Sequence, residues 1–380
     1  MIEKYREILR AAKAKENLER IYRSFSQLDR MSIVLGNPSC DQDSFIGSHV
    51  LGLLEEKVPV VNLSRAIFSC KKDLLEILEM MGVACEDLVF LEKEARGWVL
   101  IRGREKIRVQ DKKISATIVD HNVPEKEILE NKNFSVEKII DHHPILKMCD
   151  MYTCVSAMCI ELAAGSCCSL IYREIKTKLE EKLRTDPEKC KVLLLLTIPI
   201  LTDTSCLTRR THTVDRKGVE ELLKMAGVSM EEAEEMHRHL KKKKKCEDQI
   251  PSDMILQMDY KSFEYPPSHK GKTFGISSVK YPYDDWIKRD GKAKFLEAVG
   301  KFVQERSHEF FLINCKSKGV REFFVYRPPA NDFVQTVLYS GKSPSQREVL
   351  GEKEIKVYRT DASLSRKIVA PHIYAYLDKR

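Results

Sequence analysis

Asp41-Gln42-Asp43 sets two carboxylates two residues apart, after the apolar run Ile33-Val34-Leu35 and the turn formers Gly36-Asn37-Pro38. Carboxylates so spaced on a strand-to-helix loop can each hold a different cation, the arrangement that brings two hard cations together for phosphoryl chemistry. Alone, the triplet reads equally well as a polar loop, with Ser44 as N-cap of a helix over 44–56. Three further groups extend it. Asp120-His121-Asn122 ends the β-rich run 116–120. Asp141-His142-His143 follows Val136-Glu137-Lys138-Ile139-Ile140 and precedes Pro144, so these adjacent histidines stand at a strand end and not in a surface cluster. Asp203 closes the apolar run 192–201, where a buried carboxylate without a partner is costly and a metal removes the cost.

The elements that must position these groups alternate. Strand-like runs at 33–36, 58–63, 88–91, 116–120 and 136–141 are separated by helical ones at 44–56 and 72–81, the latter closed by Gly82. A charged amphipathic helix over 5–29 precedes them, and helices over 166–183, 190–201 and 215–225 follow. This alternation predicts an α/β domain with a mainly parallel sheet flanked by helices. Ligands in such sheets gather at the carboxyl ends of the strands. Asn37/Asp41/Asp43, Asp120-His121 and Asp141-His142-His143 all lie at such ends and are expected to converge on one crevice. Lys241 to Lys245 are five adjacent like charges, read as a solvated linker. The predicted organisation is a metal-site domain over 1–240, a Lys-rich linker over 241–250 and a smaller α+β domain over 251–380. The second domain has strands at 272–281, 309–314 and 320–326, the last two a hairpin through 316–319, and helices at 295–304, 330–339 and 364–377. Chemistry on one domain and basic residues on the other predict an active site in a cleft between them.

Composition bounds the partners. With 43% hydrophobic and 32% charged residues, the 380-residue chain is a soluble globular protein. Its 12 cysteines show no disulfide-framework or zinc-knuckle spacing and are expected to be reduced thiols in the cytoplasm. Met1 to Glu7 opens a helix and not a targeting segment, and the longest apolar run is too short to span a bilayer. A net charge of +8 favours a polyanion. No zinc-finger spacing or Arg/aromatic repeat argues for a nucleic acid. The Lys112-Lys113 pair and the stretch 176–184 are expected to be solvated faces.

Taken together, Asn37-x3-Asp41-x-Asp43, Asp120-His121-Asn122, Asp141-His142-His143 and Asp203 resemble the four motifs of the DHH phosphoesterase family. The resemblance extends to Gly165-Ser166-Cys167, Asp259-Tyr260-Lys261 and Ser365-Arg366-Lys367. It points to the branch of manganese-dependent inorganic pyrophosphatase, exopolyphosphatase and prune, and within it most to the yeast-type cytosolic exopolyphosphatases. Gly36-Asn37 stands where pyrophosphatases open the first motif with a His. The Asp-His-His triplet is intact, whereas animal prune proteins often carry Arg at its third place. The Gly-Gly-Gly-His segment of the family's nucleases is absent.

The resemblance implies two divalent cations, Mg2+ or Mn2+, with Asp41 on one, Asp43 on the other, Asp120 bridging, and His142 and Asp203 completing the second site. Asn37 stands at the first. His143 would face the substrate phosphate, and His121 is a supporting or merely structural histidine. Lys261, Arg366 and Lys367 would hold phosphates from the second domain, and Arg209, Arg210, Lys270 and Lys272 would track a longer chain. The implied activity is hydrolysis of the terminal phosphoanhydride of inorganic polyphosphate, with Asp41, Asp43, Asp120 and His143 as the catalytic set. The alternatives are a pyrophosphatase, a prune-like nucleotide phosphohydrolase or phosphodiesterase, and a non-catalytic prune-like interaction protein.

Overall fold

The computed structural model describes residues 2–94, 97–145, 155–244, 250–266, 269, 271–279, 282–317, 319–339 and 355–379. The chain forms two compact units, Met1–Lys244 and Lys245–Arg380.

Eight strands build the sheet of the first unit: β1 (Arg30–Leu35), β2 (Val58–Val61), β3 (Val89–Glu94), β4 (Gly97–Arg102), β5 (Glu105–Arg108), β6 (Lys113–Val119), β7 (Phe134–Asp141) and β8 (Ala157–Ile160). Their order is β5-β4-β3-β2-β1-β6-β7-β8. The run from β3 to β8 is parallel, and β4 and β5 add an antiparallel edge. β2 is buried at every residue, as expected of a parallel strand covered on both faces. The crossover from β1 to β2 is helix Gln42–Glu55, buried from Gln42 to Leu54 and packed between the sheet and helix Cys167–Lys176. The register sets the site. Leu35 pairs with Ile118 and Val119 with Ile140, so the loops leaving β1, β6 and β7 emerge side by side at one sheet edge.

The second unit is a five-stranded mixed sheet: β9 (Tyr260–Glu264), β10 (Thr273–Val279), β11 (Phe310–Ser317), β12 (Val320–Tyr326) and β13 (Ile355–Asp361), in the order β13-β12-β11-β10-β9. Only the pair β10/β11 is parallel. One face packs Phe274, Phe310, Leu312 and Phe323 against helices Phe333–Tyr339 and Arg366–Leu377. Among the described residues, no helix is long and apolar enough to cross a membrane.

Several local expectations change. The N-terminal helix is two, Ile2–Ala11 and Ala14–Ser26, broken where Lys13 takes φ 49°. The stretch 166–183 also divides, into Cys167–Lys176 and Leu179–Thr185. Over 190–201 the chain forms a 3-10 turn, Lys191–Leu196, before helix Thr197–Asp203, whose first turn tolerates Pro199. Lys241 to Lys243 are not linker. They end helix Met230–Lys243, where the helix dipole favours cations and Lys243 pairs with Glu76 at 2.7 Å. Lys245 lies outside the described residues.

Candidate metal centre

Close approach at the first motif requires a glycine. A Cβ on Gly36 would sit 2.3 Å from Ser44 Oγ, which instead accepts a 2.6 Å hydrogen bond from the Asn37 N–H. The N-cap of helix Gln42–Glu55 is Asp41, not Ser44: Asp41 Oδ1 accepts from the Ser44 N–H at 3.1 Å. The carboxylate satisfies the end of the helix it begins, so the helix starts earlier than the Ser44 reading allowed.

Asp43 is buried and docks on the N-terminus of helix Cys167–Lys176. It accepts from Ser166 Oγ at 2.7 Å, Cys167 N–H at 2.7 Å and Cys168 N–H at 2.9 Å. This end of a helix favours an anion, which accounts for the Gly165-Ser166-Cys167 motif. Asp120 follows β6 with φ 62°, a left-handed backbone that Asp tolerates. Its carboxylate faces His142 Nε2 at 3.3 Å and His143 Nδ1 at 3.7 Å.

The two histidines are held differently. His142 Nδ1 lies 3.3 Å from the Ala164 carbonyl and donates to it. Nε2 is therefore the ring nitrogen that faces Asp120 and, at 3.8 Å, Asp43. His143 Nδ1 donates to Asp141 Oδ1 at 2.8 Å. Asp141 is fully buried and also accepts from the His142 N–H and from Asn122 Nδ2, both at 2.8 Å. Burial pushes its carboxyl up, but the hydrogen bond and charge of His143, with His121 and His142 behind it, hold it below its ordinary value. Asp141 thus orients the pair, a role the motif alone did not assign. His121 donates locally to the Val119 carbonyl at 2.9 Å.

Ligand atoms of Asp120, His142 and His143 all lie within 4.8 Å of one another. Asp203, at the end of helix Thr197–Asp203, completes the acidic set. Burial raises its carboxyl well above the ordinary value, and Asp43, Asp41 and Asp120 push it further, with His142 opposing. Neighbouring carboxylates with a ring nitrogen of His142 aimed among them are a donor set suited to hard divalent cations.

Asn37 departs from the expected ligand role. Its Oδ1 already accepts from Ser39 N–H at 2.9 Å, Ser39 Oγ at 2.7 Å and Cys40 N–H at 3.0 Å. Backbone N–H groups only donate, so the amide orientation is determined and its NH2 faces Asp120 Oδ2 at 2.5 Å. The residue presents the site with a hydrogen-bond donor, not a ligand atom.

A buried chain behind the loop was missed by sequence reasoning. Gln42 Nε2 donates to Asp73 at 2.9 Å, Thr202 Oγ donates to Gln42 Oε1 at 2.8 Å, and His237 Nδ1 lies 3.2 Å from that hydroxyl. It ties the Asp41/Asp43 loop to the helix that ends in Asp203. The available signal was a glutamine between two aspartates at the start of an apolar helix. Arg209 and Arg210 are exposed on the loop after Asp203.

In the second unit, Arg366 donates to the Asp259 carbonyl and Oδ1, both at 2.7 Å. The pairing brings the start of helix Arg366–Leu377, with exposed Lys367, to the start of β9, where Lys261 lies. Lys272 does not join them. It precedes Thr273, which pairs with Glu264, whereas Lys261 pairs with Ile276, roughly 13 Å along the strand. Lys270 lies outside the described residues.

A family model described as DHHA2 domain matches residues 238–376. The chain is 29% identical over 324 residues to a Schizosaccharomyces pombe protein named "Putative exopolyphosphatase", covering 78% of this chain and 76% of that one. It is 22% identical over 317 residues to "Exopolyphosphatase PRUNE1" of Rattus norvegicus, covering 78% and 63%. A "Probable manganese-dependent inorganic pyrophosphatase" of Lactobacillus gasseri is 25% identical over 197 residues, covering 52% and 58%. The chain therefore spans less than two thirds of the last two relatives. In fold it is similar to a Methanococcus jannaschii "putative family II inorganic pyrophosphatase", with a TM-score of 0.62 at 18% identity, covering 92% of this chain and 100% of that one. The matched C-terminal region and these relatives support the resemblance of the site motifs to the DHH phosphoesterase family, in the branch of exopolyphosphatase, prune and manganese-dependent inorganic pyrophosphatase.

Proposed function

We propose that the protein is a metal-dependent exopolyphosphatase, releasing orthophosphate from the end of inorganic polyphosphate. The observation that carries this reading is the cluster of Asp43, Asp120 and Asp203 around His142 Nε2, which needs positive charge to be ionised together. Asp41, Asp43, Asp120, Asp203 and His142 would hold two divalent cations, Mg2+ or Mn2+; Asn37 is left out of that set. Bound there, the cations would neutralise phosphate charge and acidify a water.

The chain's own groups then divide the remaining work. Asn37 steadies one oxygen of Asp120 and leaves the other toward the histidines. Asp141 favours the imidazolium of His143, which can then donate from Nε2 to a phosphate oxygen while Nδ1–H stays on Asp141. Lys261, Arg366 and Lys367 would neutralise the departing chain, whose charge is the main barrier to phosphoryl transfer. Arg209 and Arg210 would extend the cationic track.

Phosphate release from long-chain polyphosphate, tripolyphosphate and pyrophosphate, with Mg2+, Mn2+ and chelator, tests this. Stepwise release from the longer chains, abolished by chelator and slow on pyrophosphate, is expected. The relative named as a pyrophosphatase favours a second reading, for which pyrophosphate would be the best substrate. No release from any of the three would overturn both.

A further inference from the structure

Arg321, on β12, is a cation whose described partners are neutral. Its Nη1 donates to Asn314 Oδ1 at 3.0 Å and its Nε to the Ala362 carbonyl at 3.2 Å. No carboxylate pairs with it among the described residues. An arginine only donates, so the Nη1 bond determines how the Asn314 amide is turned: oxygen on Arg321, NH2 away from it. That NH2 is buried, in a residue 1% exposed, and has no acceptor among the described residues. Buried donors are rarely left so without a reason.

The two residues are neighbours by register. Asn314 pairs with Phe323 and Arg321 with Lys316, which puts Asn314 and Arg321 diagonally adjacent on one face of the sheet. Further along, the same face carries the core residues Phe310, Leu312 and Phe323. Ala362, which holds the guanidinium, precedes helix Arg366–Leu377 by four residues, and the Ser365 side chain makes no capping hydrogen bond to that helix. A water on the amide would satisfy its NH2 but leave the guanidinium charge unbalanced. An oxyanion answers both.

We propose that Asn314 and Arg321 form an oxyanion subsite that takes a phosphoryl group, beside Arg366 and Lys367. Guanidinium and amide N–H groups suit a tetrahedral phosphate, whose oxygens only accept. The identity of the anion as part of a phosphate chain rests on the proposed function; the subsite itself rests on the donors.

The test is titration of the full chain, in chelator to prevent turnover, with tripolyphosphate and separately with orthophosphate, followed calorimetrically. Asn314→Asp keeps a partner for Arg321 and exchanges the donor for a negative oxygen. Tripolyphosphate binding should weaken at least about tenfold in it and in Arg321→Gln. Thermal unfolding of Asn314→Asp should stay at or above that of the wild type. An equal loss for orthophosphate would assign the subsite to released phosphate; a loss for tripolyphosphate alone would assign it to the chain. A purely structural pair predicts wild-type affinity in Asn314→Asp, and that result, or no binding by the wild type, overturns the subsite. If the wild type releases phosphate while both variants keep its Kd and KM, the subsite fails and the activity stands. Asn314-dependent binding without phosphate release would mean the opposite: the subsite stands and the activity fails.

Discussion

Each unit holds a local cluster of charge, acidic at the strand ends of the first and basic in the second, and the two are held in different ways. In the first, acidic groups are buried at strand and helix ends, where helix N-termini and imidazoles compensate them in part: three donors meet Asp43, and His142 opposes the acidic pressure on Asp203. In the second, the cations sit at the rim of a sheet and are steadied by neutral oxygens or by one carboxylate, as Arg321 is by Asn314 and Arg366 by Asp259. Buried carboxylates call for a compact cation that replaces their water. Rim cations call for a solvated anion that can arrive and leave. On the proposed function, metal and phosphate recognition would be built on separate sheets, by separate physics, so that each could be broken alone.

Asp120→Asn should give the largest effect. Phosphate release should fall at least about 100-fold, as when a main electrostatic group of a site is removed, and Mn2+ binding measured by calorimetry should fall with it. Normal turnover by this variant would remove the first unit from the comparison. Lys367→Ala should act on the other side only, raising KM for tripolyphosphate about tenfold with kcat and Mn2+ affinity near wild type. A fall in kcat alone would show that the cations do more than hold substrate.

His49 sharpens the contrast within the first unit, because it is a buried basic group with no anionic partner among the described residues. Burial depresses it from 6.5 to about 4, although Nδ1 donates to the Phe45 carbonyl. Below pH 6.5 the unfolded chain takes up a proton that the folded one refuses. Its contribution is therefore present above that pH and lost progressively as pH falls toward 4. Between pH 7 and 5.5 this amounts to about 1 kcal/mol, to be read from denaturant unfolding. His49→Phe should flatten that slope, and an unchanged slope would refute it. The smallest effect is predicted to have the opposite sign to the usual. Without metal, Asp203→Asn should stabilise the fold by roughly 1 kcal/mol or less, because it relieves the pressure of Asp43, Asp41 and Asp120. Mn2+ is expected to raise the Tm of the wild type, and the variant should lose that rise. Thermal unfolding with and without Mn2+ checks both halves.

The parallel sheet and the convergence of three strand ends were legible in the sequence, because period and composition report burial and the motifs stand where buried runs stop. Orientation was not legible. Asn37 occupies a ligand's place in the motif, yet Ser39 and Cys40 take its oxygen. That turn of the amide is set by a loop conformation to which no residue type points. Ser44 and Asp41 are both good caps by type, and which one caps depends on where the backbone enters the helix. Lys241 to Lys243 looked like a linker because like charges repel, but Glu76 stands across from Lys243 and their helix continues.

By itself, the sequence determined the alternation of elements, the chemical types gathered at the strand ends and the family they resemble, since these depend on local pattern and on which residues follow which. Only the tertiary structure decided which nitrogen of His142 faces the carboxylates, that the side-chain oxygen of Asn37 is already engaged, and that Asn314 and Arg321 share a face. Each depends on the direction of a hydrogen bond or of a side chain within the folded backbone, and such a direction is determined only when both partners are in place.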